Sequence, residues 1–160
     1  MECYNVDMKP SIISVDTSVI NACKAMSFPI ARIAIFVVYF WFGVLKVVGA
    51  SPANPLVASL LHATLPFLSF DSFIIGFGIF EAVIGILFLF KKFDRLSILL
   101  FVIHMLMTTM VLVMLPAMAW DGTFVPSLEG QYVIKNIALV ALVVSLASHI
   151  EPMRRREHSV

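Results

Sequence analysis

The stretch SFIIGFGIFEAVIGILFLF, residues 72–90, decides the fold of this chain. A membrane-spanning helix needs about 20 mostly apolar residues, and this stretch reaches that length with Glu81 as its only charged residue. Because lipid offers the backbone no hydrogen-bond partners, such a segment is expected to be helical. A carboxylate inside lipid is costly unless it faces the interior of a bundle. The stretch therefore predicts a transmembrane helix that presents a buried acid to neighbouring helices.

Three more apolar segments of similar length lie near residues 28–48, 96–115 and 131–149. The 160-residue chain is 61% hydrophobic and 13% charged, whereas soluble domains are about 45–50% apolar and about 25% charged. Between the first two segments, residues 55–69 are apolar but too short to cross a bilayer. The sequence thus predicts an all-α membrane protein, a four-transmembrane-helix bundle with a short interfacial helix between spans one and two.

The charges predict the domain organisation and the orientation. Residues 1–27 carry several charges and no uninterrupted apolar run, which favours a cytoplasmic tail or an amphipathic helix over a signal peptide. Residues 28–149 are the predicted membrane domain, and 150–160 a basic cytoplasmic tail. Lys and Arg collect at both ends and between spans two and three, so the positive-inside rule places both termini in the cytoplasm. The net charge of +1 gives no reason to expect nucleic-acid binding.

Four polar side chains that are costly to place in lipid lie one in each span, and they are Lys46, Glu81, His104 and Lys135. The first span also has Arg32 at its start. Helical side chains lean toward the N-terminus of their own helix, so Lys46 and Glu81 are expected to approach each other. His104 lies at a similar depth and is the third candidate member. The sequence therefore predicts a buried polar cluster built from the four residues.

Two further features bear on where these residues lie in the bundle. Gly78 and Gly85 share the helical face of Glu81, and small residues let membrane helices approach closely. Lys135 leans toward the outer surface, in the direction of Glu129 or Asp121. The role of the cluster stays open between a structural ion pair that fixes helix register, a site for a ligand or a proton, and a docking site for a partner.

Other chemistries have little support in the sequence. Met110, Met114 and Met118 recur at helical spacing, a pattern in which soft thioethers could bind copper(I), but methionine is also an adaptable core residue. The motifs of nucleotide-binding loops, zinc proteases and serine hydrolases do not occur. The two cysteines have no CxxC spacing. We predict no metal site and no intrinsic cofactor.

Four motifs together resemble one family. They are FWFGVLKVVGASPANPLV (40–57), FGIFEAVIGILFLF (77–90), HMLMTTMVLVMLP (104–116) and PSLEGQYVIKNIALVAL (126–142). In combination they resemble the DoxX-like integral membrane proteins, and within them a branch of unknown function linked to reactive-chlorine resistance. The resemblance covers about residues 28–148. Asn136 departs from the pattern, because many members follow the lysine with aspartate.

The resemblance implies a four-helix protein of the bacterial inner membrane, associated with redox chemistry or oxidative stress. It implies an accessory subunit that contacts quinone, with a protein partner or a second copy, rather than a stand-alone enzyme. The candidate contacts for quinone or another ligand are Tyr39, Trp41, Thr108 and Asn136. Two alternatives stay open: a small transporter or channel for a proton, an anion or a copper ion, and a structural membrane scaffold.

Overall fold

A computed structural model describes residues 10–151 of the chain, with side chains from residue 13 onward. Within that range, four helical segments are long and apolar enough to cross a membrane: Ile13–Val47, Phe70–Phe88, Lys91–Met114 and Leu128–Ala147. The predicted all-α four-helix bundle is confirmed, and these spans indicate a multi-pass membrane protein. The predictions for residues 1–9 and for nearly all of the basic tail at 150–160 fall outside the described residues.

Helix α1, Pro10–Val47, is 38 residues long, about 57 Å. It exceeds the hydrocarbon core of roughly 30 Å, and residues 10–27 continue the first span as one helix. Gly49 ends the helix with a φ of 75°. The Gly49 N–H donates to the Lys46 carbonyl (3.1 Å) and the Ala50 N–H donates to the Leu45 carbonyl (2.9 Å), which is a Schellman motif. The motif places Lys46 in the last turn of α1.

Helix α2, Asn54–Thr64, is the short helix predicted between spans one and two, and a proline opens it. Helix α3, Phe70–Phe88, follows and packs along α1. A Cβ atom placed on Gly78 would lie only 2.6 Å from the Gly43 carbonyl oxygen. The two backbones are therefore in direct contact, as small residues allow in membrane bundles. Glu81, one turn after Gly78, is carried into the contact with α1.

The third span is interrupted. It comprises a 3-10 turn at Lys91–Phe93, helix α4, Asp94–Thr109, and helix α5, Val111–Met114. The backbone of Leu115 leaves the helical region, and Pro116 opens a further short helix, α6, Pro116–Ala119. Met118 therefore lies beyond a helix break, and the expected single stripe of Met110, Met114 and Met118 on one helix does not form.

A small hairpin joins spans three and four. Strand β1, Trp120–Gly122, pairs antiparallel with β2, Val125–Pro126. Helix α7, Leu128–Lys135, then begins with a cap, since the Ser127 hydroxyl accepts the Gly130 N–H at 3.1 Å. Helix α8, Ile137–Ala147, completes the fourth span after a junction at Asn136.

The larger apolar cluster lies in the half of the bundle in which α1 begins and α8 ends, here called the terminal end. Ile35, Ile84, Phe88 and Phe101 from α1, α3 and α4 are almost completely buried there. The opposite half, which holds α2 and the hairpin, is called the hairpin end. Lys46 near the end of α1 belongs to this half. A smaller apolar cluster of Val111, Ala119 and Val133 packs at the hairpin end.

Candidate functional site

Glu81 joins side chains from two neighbouring helices. Its Oε2 atom lies 2.6 Å from Lys46 Nζ on α1, and its Oε1 atom lies 2.9 Å from His104 Nε2 on α4. Lys46 and Glu81 are each 5% exposed and His104 is 6% exposed. The structure therefore brings together three of the four residues predicted for the polar cluster. Buried charges are tolerated only when paired and hydrogen-bonded, and both carboxylate oxygens here have a partner.

Tyr39 extends the cluster by one group, because its hydroxyl lies 3.0 Å from His104 Nδ1. One assignment of hydrogens satisfies every contact. Tyr39 O–H donates to Nδ1, the Nε2–H of a neutral His104 donates to Glu81, and the Lys46 ammonium donates to the other carboxylate oxygen. With Lys46 positive and Glu81 negative, this four-residue chain, here called the polar chain, carries no net charge.

Phe77 supports the cluster from α3. Its ring stacks on the imidazole of His104, with centroids 5.4 Å apart and an interplanar angle of 18°. Lys46 Nζ lies 5.5 Å from the centre of the same ring. A cation over an aromatic face is attracted by the ring quadrupole. The ring therefore restrains both partners of Glu81 and covers the cluster with apolar surface.

A cavity of about 740 Å³ adjoins the polar chain. Small-molecule sites are typically about 300–1,000 Å³, mostly apolar, with a few placed polar groups. Side chains of α1, α2, α3, α4 and α7 line this cavity, and most of them are apolar. The four members of the polar chain are part of its wall. The structure thus combines an apolar cavity with one buried corner of hydrogen-bonded polar side chains.

The other predicted contact residues divide into two groups. Tyr39, Thr108 and Asn136 line the cavity. Trp41 does not, because its side chain lies on another face of α1 and is 63% exposed. A role for Trp41 inside this cavity is therefore not supported by its position.

Lys135 does not join the cluster, which corrects the prediction of a four-residue buried set. Its side chain is exposed, and its ammonium lies 5.9 Å from the centre of the Tyr132 ring. Val133 on α7 is buried instead. Two residues along a helix of about 3.6 residues per turn correspond to roughly 200° of rotation, so Lys135 faces away from the interior that Val133 fills.

Sequence reasoning missed a second ion pair, at the terminal end. Arg32 on α1 donates through two nitrogens to the two oxygens of Asp94, each at 2.7 Å. Arg32 also donates to the Phe88 carbonyl at 2.9 Å. The signal was present, since both residues lie where their spans begin at the same side of the bundle.

Comparison with known proteins finds no matching family model, no similar curated protein and no similar solved structure. The resemblance to the DoxX-like proteins therefore stays a prediction from the motifs. The structural features that bear on function are the cavity and the polar chain in its wall.

Proposed function

We propose that the chain is a DoxX-like protein of the bacterial inner membrane, with both termini in the cytoplasm, that binds a quinone in the cavity at its hairpin end. In this proposal it serves a redox- or oxidative-stress-linked membrane complex as an accessory subunit. The observation that carries the proposal is an apolar cavity of about 740 Å³ with the hydrogen-bonded Lys46–Glu81–His104 cluster in its wall.

The chemistry of the lining residues fits a quinone. Such a ligand has an apolar ring and tail, which suit the apolar lining, and oxygens that need hydrogen-bond partners in a dry site. The Lys46 ammonium has three N–H groups and donates one of them to Glu81, so it can donate another to a carbonyl oxygen. The Glu81 carboxylate can accept from the hydroxyl of the reduced form. Thr108 and Asn136 add polar atoms elsewhere in the lining.

The same residues can hold and move a proton. Reduction of a quinone consumes two electrons and two protons. Tyr39, His104 and Glu81 are joined by two consecutive hydrogen bonds, and an imidazole can relay a proton between the groups bonded to its two ring nitrogens. The sequence contains no redox-cofactor motif, so the electrons would come from a partner subunit. This division of labour is the reason for proposing an accessory subunit.

A proton transporter is the second candidate, and the same hydrogen-bonded path favours it. Beyond Tyr39, however, the terminal end is packed with buried apolar side chains such as Ile35, Ile84 and Phe101. A proton path across the bundle would have to cross this apolar layer to reach the Arg32–Asp94 pair. The one-sided arrangement of cavity and core therefore favours ligand binding over transport.

The test is quinone binding by the purified full chain in mild detergent, with short-chain ubiquinone and menaquinone analogues as probes and calorimetry as the readout. Thr108→Trp adds a large side chain at the cavity wall, and Leu106→Trp adds the same side chain at an exposed position of the same helix. We expect Thr108→Trp to weaken binding at least about tenfold, which is about 1.4 kcal/mol. Leu106→Trp should bind like the wild type. Absence of saturable quinone binding by the wild type, or equal binding by both variants, would refute the proposal.

A further inference from the structure

A second cleft lies at the terminal end of the bundle, between α1 and α8. Its volume is about 330 Å³, within the range of small-ligand sites. Lys24 on α1 lies about 33 Å along the helix from Lys46, so this cleft is separate from the cavity at the hairpin end. Nothing in the proposed quinone function uses it.

The cleft combines an apolar floor with a basic rim. Phe28, Ala31, Leu142 and Leu146 supply apolar surface, and Lys24 and His149 supply nitrogen atoms. The ring of His149 is fixed by an edge contact with Phe28, with centroids 4.3 Å apart, and its Nδ1 atom lies 3.0 Å from the Ser145 carbonyl. A ligand that matches this cleft needs an anionic group beside an apolar portion.

The charges around the cleft leave Lys24 available for such a group. Among residues 13–151, the ion pairs join Arg32 to Asp94, and Lys46 and His104 to Glu81, and none involves Lys24. Lys91 and Lys92 lie at the same end of the bundle, in the turn before α4. Asp94 is already neutralised by Arg32. In the described part of the terminal end, basic residues outnumber acidic ones, and no described ion pair involves Lys24. The basic residues are Lys24, Arg32, Lys91, Lys92 and Arg95, and the acidic ones are Asp16, Asp94 and Glu151.

We propose that this cleft binds the headgroup phosphate of an anionic phospholipid. The cleft lies where the apolar spans end, which is the depth at which lipid headgroups meet a membrane protein. Basic pockets between transmembrane helices are a known way to hold such headgroups. In this arrangement Lys24 contacts the phosphate, while Phe28 and Leu142 contact the glycerol and the first carbons of the acyl chains.

The experiment uses the full chain in detergent micelles that contain a small fraction of a single lipid, with native mass spectrometry to count the lipids that stay bound. The lipids are phosphatidylglycerol and the zwitterionic phosphatidylcholine, and inorganic phosphate is added in a separate arm. Lys24→Gln removes the cation, and Ser145→Leu narrows the cleft at an exposed position without changing charge. Lys92→Gln is the matched control, because it removes an equal charge from the same end outside the cleft.

We expect the wild type to retain phosphatidylglycerol in preference to phosphatidylcholine. Lys24→Gln should weaken that retention about fivefold, the effect of one basic residue at an anionic headgroup, and Ser145→Leu should weaken it as well. Lys92→Gln should change it less than twofold. Equal retention of both lipids, an equal effect of Lys92→Gln, or binding of inorganic phosphate without preference for the anionic lipid would each overturn the proposal.

Discussion

Glu81→Gln should be the most damaging single substitution in the polar chain. Glu81 is buried and holds Lys46 at 2.6 Å and His104 at 2.9 Å. The substitution leaves the Lys46 ammonium buried with the Phe77 ring as its remaining described electrostatic partner. Breaking a buried pair from one side costs about 3–5 kcal/mol, because the other charge remains without its counter-ion. We expect a loss of free energy of unfolding in that range.

Lys46→Met should cost less, although it breaks the same ion pair. Glu81 would keep His104 as a hydrogen-bond partner, so its carboxylate would not be left without a donor. The double variant Glu81→Gln with Lys46→Met leaves no lone charge and should regain much of the stability lost by Glu81→Gln. Lys135→Met is the control for removing a lysine, and should change stability by less than about 0.5 kcal/mol because Lys135 is exposed.

The measurements are unfolding of each variant in detergent and protection of cells against hypochlorite. A Glu81→Gln variant within about 1 kcal/mol of the wild type would refute the reasoning on stability, as would a double variant no more stable than Glu81→Gln. The second readout separates structure from function. A double variant that regains stability but not protection supports a functional polar chain. Recovery of both properties would leave the cluster with a structural role alone.

Three further predictions concern the α1–α3 contact, the orientation in the membrane and the methionines. Gly78→Ala should destabilise the protein by about 1–3 kcal/mol because its new methyl group would overlap the α1 backbone. Gly76→Ala meets nothing within 4 Å and should be neutral or stabilising, so equal effects on unfolding would contradict the close α1–α3 contact. In a variant whose two native cysteines are replaced, an impermeant thiol reagent added to intact cells should label Phe67→Cys but not Lys92→Cys, and the reverse pattern would contradict the orientation. Replacing the three methionines of the MxxxMxxxM pattern with leucine roughly conserves volume and should leave copper content unchanged. A measured loss of bound copper would favour the transporter alternative.

The ion pair could be predicted from the sequence because it depends on depth and on side-chain direction. Charged residues in lipid are few, and a helix rises about 1.5 Å per residue, so the depth of Lys46 and Glu81 followed from the segment ends. The direction in which helical side chains lean then brought the two together. The glycine at position 78 strengthened the prediction, since it indicated which face of α3 touches another helix.

Lys135 shows where this reasoning fails. Its depth was placed from the start of an apolar segment, but burial depends on the rotation of the helix about its own axis. In α7 that rotation is set by Ser127, which caps the helix, and by Gly130, where a Cβ would overlap the Ala119 carbonyl oxygen. Both constraints involve residues that directly flank the hairpin, Ala119 before it and Ser127 after it, and the apolar pattern did not predict this arrangement. The cavity was missed for a related reason, because it depends on how α2 and α7 pack beside the cluster.

The cavity and the polar chain together restrict the kind of ligand that the site can hold. The four residues of the polar chain carry no net charge together and are hydrogen-bonded to one another. An ionic ligand would therefore add an uncompensated charge to a buried, mostly apolar site. A ligand with no polar atoms would gain nothing from the polar corner. A neutral, lipophilic ligand that accepts hydrogen bonds in one state and donates them in another would meet the site without a change in net charge. Its binding would only rearrange hydrogen bonds along Tyr39, His104 and Glu81. Because the net charge of the site would not change, a quinone fits the proposal better than an anion or a metal ion does.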